Sequence, residues 1–268
     1  MSAFEYGSSA TRGQRGYQED SAALWPGSAT FDWPQVLPQP AAGILVAVLA
    51  DGMGGHAGGA QASQTVCRSF LEHLATSDNS DTHPAPAPER LRAALEAANA
   101  SITKTVEANP RLDGMGSTLI GTTFGAEGLE WVSVGDSPLY LFRRGEIALL
   151  NEDHSLAPAL DQLAASGEIT AEQARTDPRR HMLRSAITGE ELDLIDVSKI
   201  PLALEPGDAV ILASDGIHTL DTDDVVRIVA AYLGDGPQAV ADALVRSIEN
   251  QKEPHQDNAT IIVVYPTG

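Results

Sequence analysis

The chain has 268 residues, 43% of them hydrophobic and 20% charged, which is ordinary for a globular protein with a sizeable core. Its 37 acids against 17 bases give a net charge of −20, so a nucleic-acid backbone or an anionic membrane would be repelled as the main partner. The single cysteine, Cys67, excludes an internal disulfide and a thiolate metal cluster, and the longest apolar run, residues 41–50, is roughly half of the ~20 that a membrane helix needs. The segment MSAFEYGSSATRG lacks a basic stretch followed by an apolar one, so no secretory signal and a cytoplasmic location are expected.

GILVAVLA (43–50) reads as a buried strand, followed by a glycine-rich turn. A helix is predicted from about Gly59 to Leu74, with Ala62, Val66, Phe70 and Leu74 on one face. DNSDTHPAPAP (78–88) is a polar, Pro-rich loop that ends in a helix start at Pro88. That helix runs to about Ala108, with Leu91, Leu95, Ile102 and Val106 inward. After Asn109-Pro110, the short β-prone runs GSTLIGTTFGA, LEWVSVG, PLYLFRR and EIALL suggest a meander. Residues 151–190 are charged and irregular, with short helices at about 157–166 and 171–175. A region of this kind inside a compact domain is usually functional or mobile. Strands at 193–200 and 208–214, helices at 221–233 and 237–250, and a strand at 259–265 follow. The order favours an α+β fold of antiparallel sheets covered by helices, as one domain over 1–268.

The chemistry lies at strand ends. VAVLADG, WVSVGDS and VILASDG each close an apolar run with an aspartate, namely Asp51, Asp136 and Asp215. QDNATIIVV does the reverse and puts Asp257 before a strand. In an antiparallel sheet the exit of one strand adjoins the entry of its neighbour, so Asp257 can share an edge with Asp51 and Asp215. Such a carboxylate cluster repels itself unless it is protonated or holds a cation. Hard oxygen ligands suit Mg²⁺ or Mn²⁺ and not Zn²⁺. A lone Asp-Gly is more often a turn than a ligand, and Asp113-Gly114 reads as that.

The loop from Asp51, D-G-M-G-G-H-A-G-G, lacks the lysine of a Walker A motif. A turn whose carbonyl and carboxylate both face a metal fits it better. R-G-Y-Q-E-D-S puts Arg15 close to Glu19 and Asp20: a guanidinium suited to phosphate beside acids suited to a metal, or else a surface ion pair. His154, His181 and His218 can each carry a proton, although a lone His is more often structural. Arg175, Arg179, Arg180 and Arg184 form a basic patch that either binds an anion or stitches its loop to nearby acids. No G-x-S-x-G surrounds a serine, which argues against Ser-hydrolase chemistry.

R-G-Y-Q-E-D-S, V-L-A-D-G-M-G-G-H, G-S-T-L, V-G-D-S-P-L-Y, A-S-D-G-I and Q-D-N-A-T occur in the order and approximate spacing of the metal-dependent Ser/Thr phosphatases of the protein phosphatase 2C (PPM) family. Met53 and His56 resemble its bacterial branch, and residues 153–189 look like that branch's flap. The resemblance implies an α–β–β–α sandwich of two antiparallel sheets with a two-metal centre holding Mn²⁺ or Mg²⁺. Asp51 would bridge the ions and the Gly52 carbonyl would ligate one. Asp215 and Asp257 would hold the other, with Asp20, and in second place Glu19, beside it. Arg15 would grip the phosphate. A water bridging the two ions would attack phosphorus directly, without a phosphoenzyme. The implied partners are phosphorylated proteins, substrates of a cognate Ser/Thr kinase, and the implied state is a monomer.

Departures leave points open. Eukaryotic members carry a His where Met53 stands, so the proton donor lies between His56 and water on the metal. Gln18 replaces the usual Asn, and Pro138 replaces the Arg after G-D-S. Thr219 replaces an Asp that helps hold a weak third ion with the G-D-S aspartate, which puts a third site on Asp136 in question. A catalytically weak binding module and a phosphatase of small phosphoesters are the alternatives to a phosphoprotein phosphatase.

Overall fold

The computed structural model describes residues 3–33, 37–55, 57–77 and 86–267. In chain order its elements are β1 (Phe4–Thr11), β2 (Ser21–Trp25), β3 (Leu45–Ala50), the short β4 (Gly52–Met53), α1 (Ala57–Ser77) and α2 (Ala87–Ala108). Then come β5 (Gly116–Ser117), β6 (Leu119–Gly125), β7 (Gly128–Val134), β8 (Leu139–Arg143), β9 (Glu146–Leu149), α3 (Ala157–Ala165) and α4 (Ala171–Thr176). The remainder is β10 (Asp196–Val197), β11 (Ala209–Ala213), α5 (Thr222–Tyr232), α6 (Pro237–Gln251) and β12 (Ala259–Pro266). One five-stranded sheet runs β1-β12-β11-β8-β9 and the other β10-β7-β6-β3-β2, every pair antiparallel.

The continuous apolar runs are strands covered on both faces. In β3, Leu45, Ala47 and Leu49 join the core between the sheets, while Val46, Val48 and Ala50 pack beneath α1 and α2. In β12, Ile262 and Val264 face the other sheet, and Ile261 and Val263 face α5 and α6. Alternation with period two thus splits each strand between two apolar layers. The predicted faces of α1 and α2 are the ones that pack: Ala62, Val66, Phe70 and Leu74 are buried, as are Leu91, Leu95 and Ile102. Gly121 in β6 leaves room for the Phe70 ring, which a Cβ there would strike. The result is the α–β–β–α sandwich. Among the described residues no helix is long and apolar enough to cross a membrane.

Two expectations change. Residues 193–200 do not form a full strand; only Asp196–Val197 pairs, at the edge beside β7, and Ile200 is exposed. β1 and β2 are additional strands. The Pro-rich loop at 78–88 falls outside the described residues up to 85, and α2 starts at Ala87 with Pro88 in its first turn.

Candidate active site

Four of the candidate aspartates come in two pairs, one from each sheet. Asp20 enters β2 and Asp51 leaves β3, and those strands are partners with Ser21 opposite Ala50. Asp215 follows β11 and Asp257 precedes β12, where Ala213 lies opposite Ile261. Asp136 lies in the turn from β7 to β8, the connection between the sheets. Asp257 therefore shares a sheet edge with Asp215, as expected, but not with Asp51. That carboxylate arrives from the facing sheet, because β3 pairs with β2 and β6 and never meets β12 in a ladder.

The cluster is electrostatically unfavourable by itself. Asp20 is buried, with 5% of its surface exposed, and the Ser214 hydroxyl donates to its Oδ2 at 2.7 Å. Burial pushes Asp20 up to about 7, against the pull of the Ser214 and Thr260 hydroxyls and with added repulsion from Asp215 and Asp257. Desolvation, then Asp20, Asp215, Asp136 and Asp257, holds Asp51 well above the usual carboxylate range. Burial, with Asp215 and Asp153 adding repulsion, raises Asp136 to about 7. Asp215 is raised by burial and then by Asp257. Oδ1 of Asp20 and Oδ1 of Asp215 are buried with no hydrogen-bond partner in good geometry. Such atoms are satisfied by a proton or by a cation.

This has a consequence for the metal-free protein. An acid whose folded pKa exceeds its unfolded value binds more protons when folded, so its ionisation opposes folding. Metal-free protein is expected to lose stability as pH rises from about 4, near the unfolded value, to about 7, the folded value of Asp20 and Asp136. Thermal melting in chelator across that window checks it, and Asp20→Asn should flatten the profile. A melting temperature that climbs through the window in wild type would contradict the repulsion.

Backbone contacts fix the ligand-bearing turns. The Asp51 carbonyl accepts from Thr118 N at 2.9 Å and from Ser117 Oγ at 2.8 Å, and Asp51 N donates to Thr118 Oγ1 at 2.9 Å. Gly52 donates to the Glu19 carbonyl at 3.2 Å, and a Cβ there would collide with the carbonyls of Gly59 and Glu19. Only glycine permits that approach. Asn258, which sequence reasoning passed over, accepts from Glu19 N at 2.8 Å and donates to the Arg12 and Tyr17 carbonyls at 3.0 and 2.9 Å. It pins the 12–19 loop to the start of β12. Its signal was in Q-D-N-A-T, where only the aspartate drew attention.

Arg15 does not pair with Glu19 or Asp20; its guanidinium donates to Asp257 Oδ2 at 2.5 Å, because Asn258 draws the loop across to β12. Thr219 donates to Gln256 Oε1 at 2.6 Å, so it braces the loop before Asp257. His56 lies outside the described residues. Of the arginine patch, Arg175 pairs with Glu172, Arg179 with Asp177 and Arg180 with Asp161, so these three stitch the flap to its own acids.

The cluster opens into a cavity of about 490 Å³ lined by Arg15, Glu19, Asp51, Asp136, Asp215 and Asp257. His181, Met182 and Leu183 of the flap line it as well. The flap is tied down at both ends through His154: its N–H donates to the Gly135 carbonyl at 3.1 Å, and its carbonyl accepts from Arg184 at 2.8 Å. Among the described residues, no three His, Cys, Asp or Glu side chains converge as placed on one ion position. The donors are instead divided between the two sheets, so any ion here would complete its shell with carbonyl oxygens and water.

A sandwich of this topology with an acidic centre at its end defines a class. The family model described as protein phosphatase 2C matches residues 36–235, and the chain belongs to that family. It is 34% identical over 223 residues to the serine/threonine protein phosphatase PstP of Mycobacterium tuberculosis, a match that covers 83% of this chain and 40% of that protein. The chain thus spans less than half the length of that relative. The crystal structure of the M. tuberculosis phosphatase PstP/Ppp is similar over 99% of both chains, at TM-score 0.76 and 29% identity. The catalytic domain of PstP in complex with two manganese ions is similar over 98% of this chain and 97% of that one, at TM-score 0.71 and 28% identity.

Proposed function

We propose that the chain is a metal-dependent phosphoprotein phosphatase that hydrolyses phosphoserine and phosphothreonine monoesters. The observation that carries this reading is that Asp51 from one sheet and Asp215 and Asp257 from the other line one cavity together with the Arg15 guanidinium, with Asp20 buried next to Asp51's strand. The buried, unpartnered oxygens of Asp20 and Asp215 and the raised carboxylates fit a site for two Mn²⁺ or Mg²⁺ ions. Asp51 with the Gly52 carbonyl, and Asp215 with Asp257, would hold them; Asp20 stands behind, Glu19 would be a further donor, and Asp136 would be the ligand of any weak third ion, whose other expected ligand position is Thr219. When bound, the cations would supply the positive charge that acidifies water and neutralises the phosphoryl oxygens.

The chain's own groups do the rest. Arg15 exchanges Asp257 for two phosphoryl oxygens, since its planar fork can hold both. Ser214 and Thr118 keep Asp20 and the Asp51 turn in place, so that the cluster is organised before substrate arrives. His181, Met182 and Leu183 of the flap border the space in which the phosphate would sit. The partners are phosphorylated proteins made by a Ser/Thr kinase, and the 1–268 unit works as one monomeric domain in the cytoplasm. Retention of Arg15, Asp51, Asp215 and Asp257 together disfavours a binding module without turnover.

The test is phosphate release from phosphoserine and phosphothreonine peptides. Activity is expected with Mn²⁺ or Mg²⁺ in the millimolar range, none after chelation, and recovery when Mn²⁺ returns. Full activity after exhaustive chelation, or recovery with Zn²⁺ alone, would rule the reading out.

A further inference from the structure

Met53 lines the cavity with a thioether, which has no proton to give, and among the described histidines the fold offers a further candidate beside the His56 and metal-bound water weighed from the sequence. The fold separates the three histidines that drew attention in the sequence. His154 is buried, with 2% of its surface exposed, and its Nδ1 accepts the Gly135 N–H at 3.2 Å; burial holds it below the ordinary histidine range. His218 lines a smaller cavity of about 40 Å³ that shares Asp136 with the larger one, beside Tyr140 and Asp153, and is likewise depressed by burial. Neither lines the 490 Å³ cavity. His181 does, together with Asp51, Asp215 and Asp257, and it is solvent-exposed.

The backbone around His181 is held. Met182 N donates to the Arg179 carbonyl at 2.8 Å, the Met182 carbonyl accepts from Leu156 at 3.0 Å, and Leu183 bridges Ser155. Arg15 and the aspartates line the same cavity as His181, so a phosphoserine held there by Arg15 would have its ester oxygen in the space that His181 borders. Asp215 lies within electrostatic reach of both His218 and His181, so what distinguishes His181 is its place on the lining of the large cavity.

We propose that His181 is the general acid that protonates the departing seryl or threonyl oxygen. The assignment rests on the phosphatase reading and deepens it. Water oxygen bonds to phosphorus as the P–O ester bond breaks, and the electron pair stays on the seryl oxygen. That oxygen takes the imidazolium proton. The neutral ring then regains a proton from the one that the attacking water releases. A positioned acid of this kind contributes about 10²–10⁴-fold when the leaving group is a strong base and little when it is a stable anion.

The experiment compares two substrates. With a phosphoserine peptide, His181→Gln should lower kcat by about 10²-fold or more, while with p-nitrophenyl phosphate, whose phenolate leaves without a proton, the loss should be only a few-fold. Imidazole added to His181→Ala should restore peptide turnover and leave p-nitrophenyl phosphate turnover unmoved. Equal losses on both substrates, with no imidazole rescue, would show that His181 only shapes the cavity and would overturn the proposal. So would peptide turnover at the wild-type level in both variants. Wild-type protein that hydrolyses neither substrate with Mn²⁺ would instead remove the phosphatase reading beneath it.

Discussion

Asp215→Asn and Asp257→Asn are each expected to lower turnover of a phosphopeptide by at least ~10³-fold at millimolar Mn²⁺, about 4 kcal/mol of transition-state stabilisation. Both side chains close the same sheet edge, and no other carboxylate from β11 or β12 can replace them. The variants should differ in stability. Asp215 is buried and raised by burial and by Asp257, so neutralising it relieves repulsion and should raise the melting temperature of the metal-free protein. Asp257 is paired with Arg15 at the surface, so its replacement should move the melt little. Rates and melts measured side by side decide it. Near-wild-type turnover in both variants would make these aspartates turn residues and nothing more.

Arg15→Ala should cut kcat/KM for a phosphopeptide by ~10²-fold, about 2.7 kcal/mol, mainly through KM. Arg15→Lys should recover part of the loss, because an ammonium supplies charge without the planar fork. The contact with Asp257 adds a second expectation. Without the guanidinium that carboxylate is released for a cation, so Mn²⁺ affinity should hold or tighten even as turnover falls. An exposed ion pair with no other duty is worth roughly 1 kcal/mol at most. Steady-state kinetics with a parallel metal titration distinguish the two, and an unchanged kcat/KM in both variants would remove Arg15 from the site.

The layers of the sandwich were legible where apolar periodicity was strong. β3, α1 and α2 carry runs long enough to reveal strand or helix, and their predicted faces are the buried ones. β1 was not legible: FEYGSSAT lies at a sheet edge, pairs only with β12 and buries few side chains, so it has no alternation to detect. β2 is buried throughout, but SAALW is short and built largely of small residues. At 193–200 the residue types suit a strand, yet only two residues find a partner, since edge pairing depends on the neighbour and not on propensity.

The site divides in the same way. An aspartate at a strand end is a local pattern, and Asp51, Asp136, Asp215 and Asp257 could be picked out singly. Which sheet each belongs to is a matter of long-range pairing, and so Asp51 was placed on the wrong edge. The Arg15–Asp257 contact spans 242 positions and is set by Asn258 bracing a loop, which no local spacing encodes. His181 became distinct from His154 and His218 only when the flap was folded against the cavity.

The most direct measurement is a calorimetric titration of Mn²⁺ into chelator-treated wild-type protein, repeated on Asp51→Asn. Asp51 is the carboxylate that most of the others repel, and it would bridge the ions, so its loss should disable both positions together. Two ions are expected to bind wild type in the sub-millimolar to millimolar range, and the variant should lose saturable binding. A wild-type chain that binds no Mn²⁺, or a variant that still binds two ions as tightly as wild type, would contradict a cation centre built on these aspartates.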